Sequence, residues 1–161
     1  MLEPAPYAHS VSDPIIEAAR KILDRSLEAM RAAVVGATAE DLARRPAGED
    51  TNPIVVIVVH AMHSTRWWLS VASGAHMPDR DRPSEFAATT ENADDLLTLL
   101  DQFGDECRDL LSGATAFDPA ATWKAPDGEL VTRAWALLHA LEHLREHVAQ
   151  ASLTRQMVSE Q

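Results

Sequence analysis

Residues 137–150 read LLHALEHLREHVAQ and carry three histidines, His139, His143 and His147, four residues apart. The leucines and the valine among them recur at the spacing of an amphipathic α-helix. Side chains four residues apart project from the same helix face, one turn apart, so two such histidines can bind one metal ion. Alone, an HxxxH pair is a weak signal, because solvated helix faces also carry histidines. The stretch therefore predicts a helix, and it predicts a metal site only if another element supplies a further ligand.

The helical wheel of this stretch separates the three histidines. We place the core direction at Leu141, the centre of the apolar face. His143 and His147 lie on a side lined by alanines, whereas His139 lies on the opposite side with Glu142. We therefore expect His143 and His147 to face a second helix, and we expect His139 to stay outside the ligand set.

His60 lies within the most apolar segment of the chain, directly after the aliphatic run Ile54–Val59. The apolar character continues for about twenty residues, which is too long for a β-strand and predicts a core helix. A buried imidazole without a partner would cost roughly 1–3 kcal/mol. One hydrogen bond to a neighbouring side chain is the usual compensation. Alternatively, His60 could share a divalent metal ion with His143 and His147, and their ring nitrogens would then lie within about 4 Å of one another.

Four segments of the chain show the 3.6-residue apolar period of long helices. They lie near residues 13–36, 53–73, 91–112 and 132–155. Ser12-Asp13-Pro14 is a typical helix start, and Thr38 opens a short helix that ends at Arg44. Long loops follow the second and third long helices, with a tight turn at Asp127-Gly128 in the later one. We therefore predict an all-α fold, a four-helix bundle in one domain spanning residues 1–161, with an N-terminal arm at residues 1–11.

The apolar residues of the first helix, which include Ile15 and Ile22, recur with a period near 3.6. In the third helix we assign a buried stripe that includes Leu99 and Cys107. Cys107 is the only cysteine, so no internal disulfide can form. We interpret it as a core residue and not as a nucleophile.

The charge balance narrows the classes of partner. The formal net charge is −11, which argues against nucleic acid and anionic membranes, because phosphate binding needs a basic surface. The longest aliphatic run is too short to cross a bilayer, and the N-terminus lacks the apolar core of a signal peptide. A single cysteine fits a reducing compartment. We expect a cytoplasmic protein that acts on a small molecule.

The order and spacing of these motifs resemble the DinB superfamily. His60 follows a helix start at Asn52-Pro53 and is followed by Arg66-Trp67-Trp68, and the last helix carries HLREHVAQ at residues 143–150. Proteins of this family are four-helix bundles that hold a divalent metal with three histidines, one from the second helix and an HxxxH pair from the last. The resemblance therefore implies a DinB-like bundle with a metal centre between those two helices.

Position by position, the resemblance implies that His60, His143 and His147 are the metal ligands. Gln150 matches the polar residue that the family places three residues after the last ligand. The family commonly shows His-Arg-Gly-Gln there, whereas this chain has His147-Val-Ala-Gln150. The departure removes an arginine that would contact the ligands or the substrate, and it leaves the three histidines in place.

The relatives in this superfamily include mycothiol-dependent maleylpyruvate isomerases, bacillithiol transferases and other thiol transferases. The resemblance thus implies a metal-dependent transferase or isomerase that uses a low-molecular-weight thiol on a small electrophile. Three neutral imidazoles would leave the ion its full charge, which would deprotonate a bound thiol. Nitrogen ligands favour zinc or nickel over magnesium. The alternative is a non-catalytic metal-binding or stress-response bundle.

Three further side chains are candidates for roles around the metal. His63 could be a fourth ligand, a base beside the ligands, or the partner of a carboxylate. Arg66 could bind an anionic substrate, although a surface ion pair is the commoner role for such a residue. Glu146 could support a ligand, but glutamates on helix faces are usually solvated.

The tryptophan pair in the second long helix bears on association. Trp67 and Trp68 are adjacent, so they cannot both point into the core of one bundle. The surrounding helix is apolar on nearly all sides, which is more than one bundle interior requires. Relatives in the superfamily often form dimers, and we predict a homodimer partly through this region.

Overall fold

The computed structural model describes residues 13–114, 117–125 and 128–159. Within these residues the helices are α1 (Pro14–Val34), α2 (Ala39–Ala43), α3 (Ile54–Ser73), α4 (Arg82–Phe86), α5 (Ala93–Gly113) and α6 (Arg133–Ser159). Two short antiparallel strands, β1 (Thr122–Lys124) and β2 (Leu130–Thr132), form a hairpin between α5 and α6. Helices dominate the described residues, which confirms the prediction of an all-α fold. The predicted arm at residues 1–11 lies outside the described residues.

The four long helices share one hydrophobic core. α1 and α3 each pack against both α5 and α6, and the contact between α3 and α6 is the most extensive. The core draws fully buried side chains from all four helices, among them Leu23, Val58, Leu100 and Leu144. Because α3 and α6 carry the histidines considered above, the largest helix contact in the fold is also the one that decides where those histidines meet.

α3 lies at the centre of the packing, with fourteen of its twenty residues buried. It contacts α2, α4, α5 and α6, so its apolar character on nearly all sides is used within the chain. By length and composition α3 could cross a membrane, with a mean hydropathy of 1.2, but 72% of that apolar window is buried inside the protein. The helical interpretation of Ile54–Val59 is confirmed. Gly74 ends the helix as predicted, with a φ of 73° in the left-handed region.

The connection after α3 contains more regular structure than the sequence predicted, whereas the later connection forms a hairpin at the predicted turn. The polar loop after α3 includes the short helix α4, which Asp81 caps by accepting a hydrogen bond from the backbone N–H of Ser84. In the later connection, Trp123 pairs with Val131 across the hairpin. Gly128 adopts a φ of 93° at the turn, while its predicted partner Asp127 lies outside the described residues.

Three residues of the apolar patterns lie at the surface instead. Ile15 is 49% exposed, Ile22 is 41% exposed and Leu99 is 50% exposed, so the assignment of Leu99 to a buried stripe is wrong. Each lies next to a buried residue of the same helix. The face that packs against the core is therefore rotated slightly from the apolar face that the sequence pattern indicated. The interpretation of Cys107 as a core residue is confirmed, because its side chain is fully buried.

Candidate metal centre

The contact between α3 and α6 brings three histidines together. His60 projects from α3, and His143 and His147 project from successive turns of α6. One ring nitrogen from each lies within 4.8 Å of the others, and the Nε2 atoms of His143 and His147 are 3.3 Å apart. The pair on α6 meets the expected spacing of about 4 Å, while the full set is somewhat wider. The helices therefore pack in the register that makes the three imidazoles neighbours.

A buried carboxylate orients His60. The Nδ1 atom of His60 lies 2.7 Å from Oε2 of Glu85 on α4. Glu85 also accepts hydrogen bonds from Arg80, at 2.8 Å from Nε and 3.1 Å from Nη2. An ionised carboxylate can only accept, so Nδ1 of His60 carries the proton and Nε2 presents its lone pair. The side chain is thereby prepared to bind a metal through Nε2.

Gln150 orients His147 in a comparable way. Its Oε1 lies 2.7 Å from Nδ1 of His147, so this nitrogen donates and Nε2 presents a lone pair. The two residues are three apart on α6, which puts them on the same helix face. Gln150, a candidate from the sequence, is thus in direct contact with one of the three histidines.

The third histidine has no such partner. Nδ1 of His143 is buried without a hydrogen bond, and its Nε2 faces Nε2 of His147. Two lone pairs at this distance repel, so either a proton of His143 or a cation must lie between the rings. Three converging imidazoles, two with defined lone pairs, are the donor set that a divalent ion such as zinc accepts. The residues present therefore fit a metal ion.

Burial keeps His60 and His143 uncharged. For His143, burial first and then the neighbouring His147 and His60 lower the pKa to about 4. Burial also lowers the pKa of His60, and this outweighs the opposite effect of Glu85. For Glu85, burial alone would raise the pKa, but the hydrogen bonds from Arg80 and His60 prevail and the pKa is lowered. At neutral pH His60 and His143 are thus neutral beside an ionised carboxylate, the protonation state that metal binding requires of these residues.

His139 lies outside the cluster, packed among tryptophans. Its ring stacks on Trp135 at 4.6 Å between centroids and meets Trp68 edge-on at 4.9 Å. Its ring centroid is 5.7 Å from that of His143. We expected His139 to be turned toward Glu142, whereas aromatic packing is what the structure shows on that side of the helix.

The remaining candidates from the sequence do not converge with the three histidines. His63 lines a groove against α5, and burial lowers its pKa. Arg66 donates a hydrogen bond of 2.9 Å to Glu106, which makes it the ion pair that we considered the commoner role. Glu146 is exposed. None of the three is part of the histidine cluster.

Glu85 and Arg80 are the site residues that the sequence analysis missed. They lie in the segment that we predicted as a polar loop. The run Asp81-Arg-Pro-Ser-Glu85 combines a capping residue with a proline in the first turn, which is a helix-start signal. That signal could have indicated α4, but no local pattern marks which acidic residue of a polar segment becomes buried.

A groove of about 880 Å³ lies between the end of α3 and α5, apart from the histidines. Its lining includes Arg66, Ser70, Glu106 and Asp109. Arg66 donates a hydrogen bond to Glu106, and the Ser70 hydroxyl donates to the backbone carbonyl of Arg66. The chemistry of the molecule is therefore better judged from the histidine cluster than from this groove.

The sequence profile of the DinB superfamily matches residues 22–151. No curated protein matches the chain. Among solved structures, the chain is similar to a crystal structure described as the conserved protein of a locus from Enterococcus faecalis, with 16% identity and a TM-score of 0.71. The match covers 90% of this chain and 97% of that one. At this level of identity the similarity shows the fold alone.

Proposed function

We propose that this chain, which belongs to the DinB superfamily, is a divalent-metal-dependent transferase or isomerase. It would use a low-molecular-weight thiol on a small electrophile. The observation that supports the proposal most is the convergence of His60, His143 and His147, with His60 and His147 oriented by Glu85 and Gln150. Sites with three protein ligands are typical of catalytic metals, because positions remain for water or substrate.

His60, His143 and His147 would hold the ion, with zinc or nickel favoured by the nitrogen donors. A divalent ion bound by neutral ligands lowers the pKa of a thiol or a water that it binds. The chain contributes the orientation of the donors. Glu85 and Gln150 each hold a proton on the far ring nitrogen of one ligand, which leaves the near nitrogen unprotonated.

The attacking thiol would come from a cosubstrate. Cys107 is the only cysteine of the chain, and its side chain is fully buried in α5. Burial raises the pKa of this thiol far above its usual range, so the thiolate that nucleophilic attack requires does not form at neutral pH. A reaction through sulfur therefore needs an external thiol.

The metal centre is tested by the metal content of the purified protein. Wild type should carry about one equivalent of a transition metal, and His60→Ala should lose most of it because a ligand is missing. His139→Ala is the matched control, since His139 lies near the cluster but outside it, and it should retain the metal. Equal metal content in wild type and His60→Ala would refute the site.

Thiol chemistry is tested separately with the metal-loaded protein. A low-molecular-weight thiol and a small conjugated electrophile should react faster in the presence of wild type than in the presence of His60→Ala, as followed by loss of free thiol. A protein that binds metal through the three histidines and yet leaves a panel of thiols and electrophiles at the uncatalysed rate would favour the non-catalytic metal-binding alternative.

A further inference from the structure

Glu85 is an unusual residue for the position that it occupies. Among the described residues it is the only buried aspartate, glutamate, lysine or arginine, with 1% of its surface exposed. Burying a carboxylate is costly, and well-packed apolar residues often stabilise a protein as well as a buried ion pair does. Fold stability alone therefore does not account for a glutamate here.

Both carboxylate oxygens of Glu85 accept hydrogen bonds from neighbouring side chains. Oε1 accepts from Nε of Arg80 at 2.8 Å. Oε2 accepts from Nη2 of Arg80 at 3.1 Å and from Nδ1 of His60 at 2.7 Å. Arg80 thus holds the carboxylate through two nitrogens, and Oε2 also accepts the hydrogen bond from His60. This arrangement orients His60 and does not extend the set of ligands.

We infer that Glu85, held in place by Arg80, is a positioning residue for His60. It keeps the proton of His60 on Nδ1 and fixes the ring so that Nε2 faces the imidazoles of α6. The inference rests on the proposed metal centre and assigns the residues that prepare one of its ligands. The inference also assigns a structural role to α4, because this short helix places Glu85 beside a histidine that lies 25 residues earlier in the chain.

The three histidines consequently differ as donors. His60 is bonded to a carboxylate, His147 to the neutral amide of Gln150, and Nδ1 of His143 has no partner. A carboxylate behind an imidazole raises the basicity of its metal-binding nitrogen. His60 is therefore the strongest donor of the three, and its strength depends on residues outside the four long helices.

The inference is tested by metal affinity in matched variants of the full chain. Glu85→Ala removes the hydrogen bond, and Glu85→Gln keeps the shape and an acceptor oxygen but loses the charge. Phe86→Ala is the control, because Phe86 is the next residue on α4 and its ring packs 4.9 Å from that of His60 without a hydrogen bond. Zinc and cobalt affinities are measured by competition with a chromophoric chelator, and the visible absorption of bound cobalt reports the geometry around the ion.

Glu85→Ala should bind zinc about 10- to 100-fold more weakly than wild type, and Glu85→Gln should fall between the two. Phe86→Ala should stay close to wild type. The cobalt absorption should shift in Glu85→Ala and not in Phe86→Ala. Equal losses in Glu85→Ala and Phe86→Ala, or wild-type affinity in both Glu85 variants, would overturn the inference. If Glu85→Ala does not fold by circular dichroism, Glu85→Gln decides.

A second measurement does not depend on metal. Long-range proton–nitrogen NMR spectra of the metal-free protein should show His60 protonated on Nδ1 in wild type, and Glu85→Ala should lose this preference. A wild-type His60 protonated on Nε2 would overturn the inference by itself. If wild type binds no metal but shows the Nδ1 proton, the proposed function fails while the positioning of His60 by Glu85 stands.

Discussion

His143 shows how a single position sets the chemistry of the site. It is partly buried, and Nδ1 has no hydrogen-bond partner. Burial first, and then the neighbouring imidazoles, lower its pKa from 6.5 to about 4. The pKa values of His60 and His63 shift in the same direction, mainly through burial. Between about pH 4 and pH 6.5 the unfolded chain therefore binds more protons at these positions than the folded chain does.

We expect the metal-free protein to lose stability as the pH falls from about 6.5 to about 4. In this window the unfolded state takes up more protons, so the free energy of unfolding rises with pH and drops on acidification. His143→Asn removes one of the titrating groups and should flatten the dependence in part. Thermal melting across this pH range, in the presence of a chelator, measures the effect. Identical pH profiles for wild type and His143→Asn would contradict it.

Cys107 is expected to be unreactive in the folded protein. A thiol reagent attacks the thiolate at an accessible site, whereas this side chain is fully buried and burial raises its pKa. Labelling with a chromogenic disulfide should therefore be slow for the native chain and should reach one equivalent after denaturation. Rapid stoichiometric labelling of the native protein would make Cys107 a candidate nucleophile again.

α5 illustrates, at the scale of an element, why an apolar stripe predicts a face only approximately. Leu99 and Leu100 are neighbours in sequence and both fit the stripe, yet Leu99 is 50% exposed and Leu100 only 3%. Successive residues differ by about 100° around a helix, so a small rotation of the packing centre exposes one and buries the other. α1 and α3 determine which leucine is covered, because these are the long helices that α5 contacts.

Truncating Leu100 and truncating Leu99 should change the free energy of unfolding by very different amounts. Leu100→Ala should lower the free energy of unfolding by about 2–5 kcal/mol, through lost burial and the cavity that it leaves. Leu99→Ala, the same substitution one residue away, should change it by no more than about 0.5 kcal/mol. Denaturant titrations of both variants measure the difference. Comparable losses would mean that Leu99 is covered in solution, for example by a second chain.

At the scale of the whole molecule, the tryptophans that suggested a homodimer pack largely within the chain. Trp67 meets Trp123 of the hairpin edge-on at 5.2 Å, and Trp68 meets Trp135 at 5.1 Å. The apolar character of α3 is likewise used inside the fold. The apolar surface that remains in this region belongs to the hairpin and the start of α6, where Leu130 and Leu138 are each 65% exposed.

The homodimer stays a prediction, and we now expect it to use this surface. Sedimentation at about 100 µM, where micromolar affinities register, should show a dimer. Leu138→Glu should shift the protein toward monomer, because it places a charge among apolar side chains. Leu153→Glu, at an exposed position further along α6, should not. A monomeric wild type at this concentration would contradict the prediction.

The sequence by itself determined the four long helices and the spacing of the histidines on the last of them. Helical periodicity and capping are local properties, so the segments of α3 and α6 could be read from residues within a few turns of one another. The four-residue interval between His143 and His147 predicted a shared face for the same reason. The apolar setting of His60 made it the candidate third ligand, and the family resemblance implied the same set.

Only the tertiary structure decided which groups complete the site. Glu85 approaches His60 across 25 residues of chain, and His139 packs against Trp68 of another helix. These contacts depend on how α3, α4 and α6 pack, and that packing is the sum of many weak contacts spread over the whole core. No short stretch of sequence contains that sum, which is why a buried glutamate in a polar segment could not be told from its solvated neighbours before the helices were packed together.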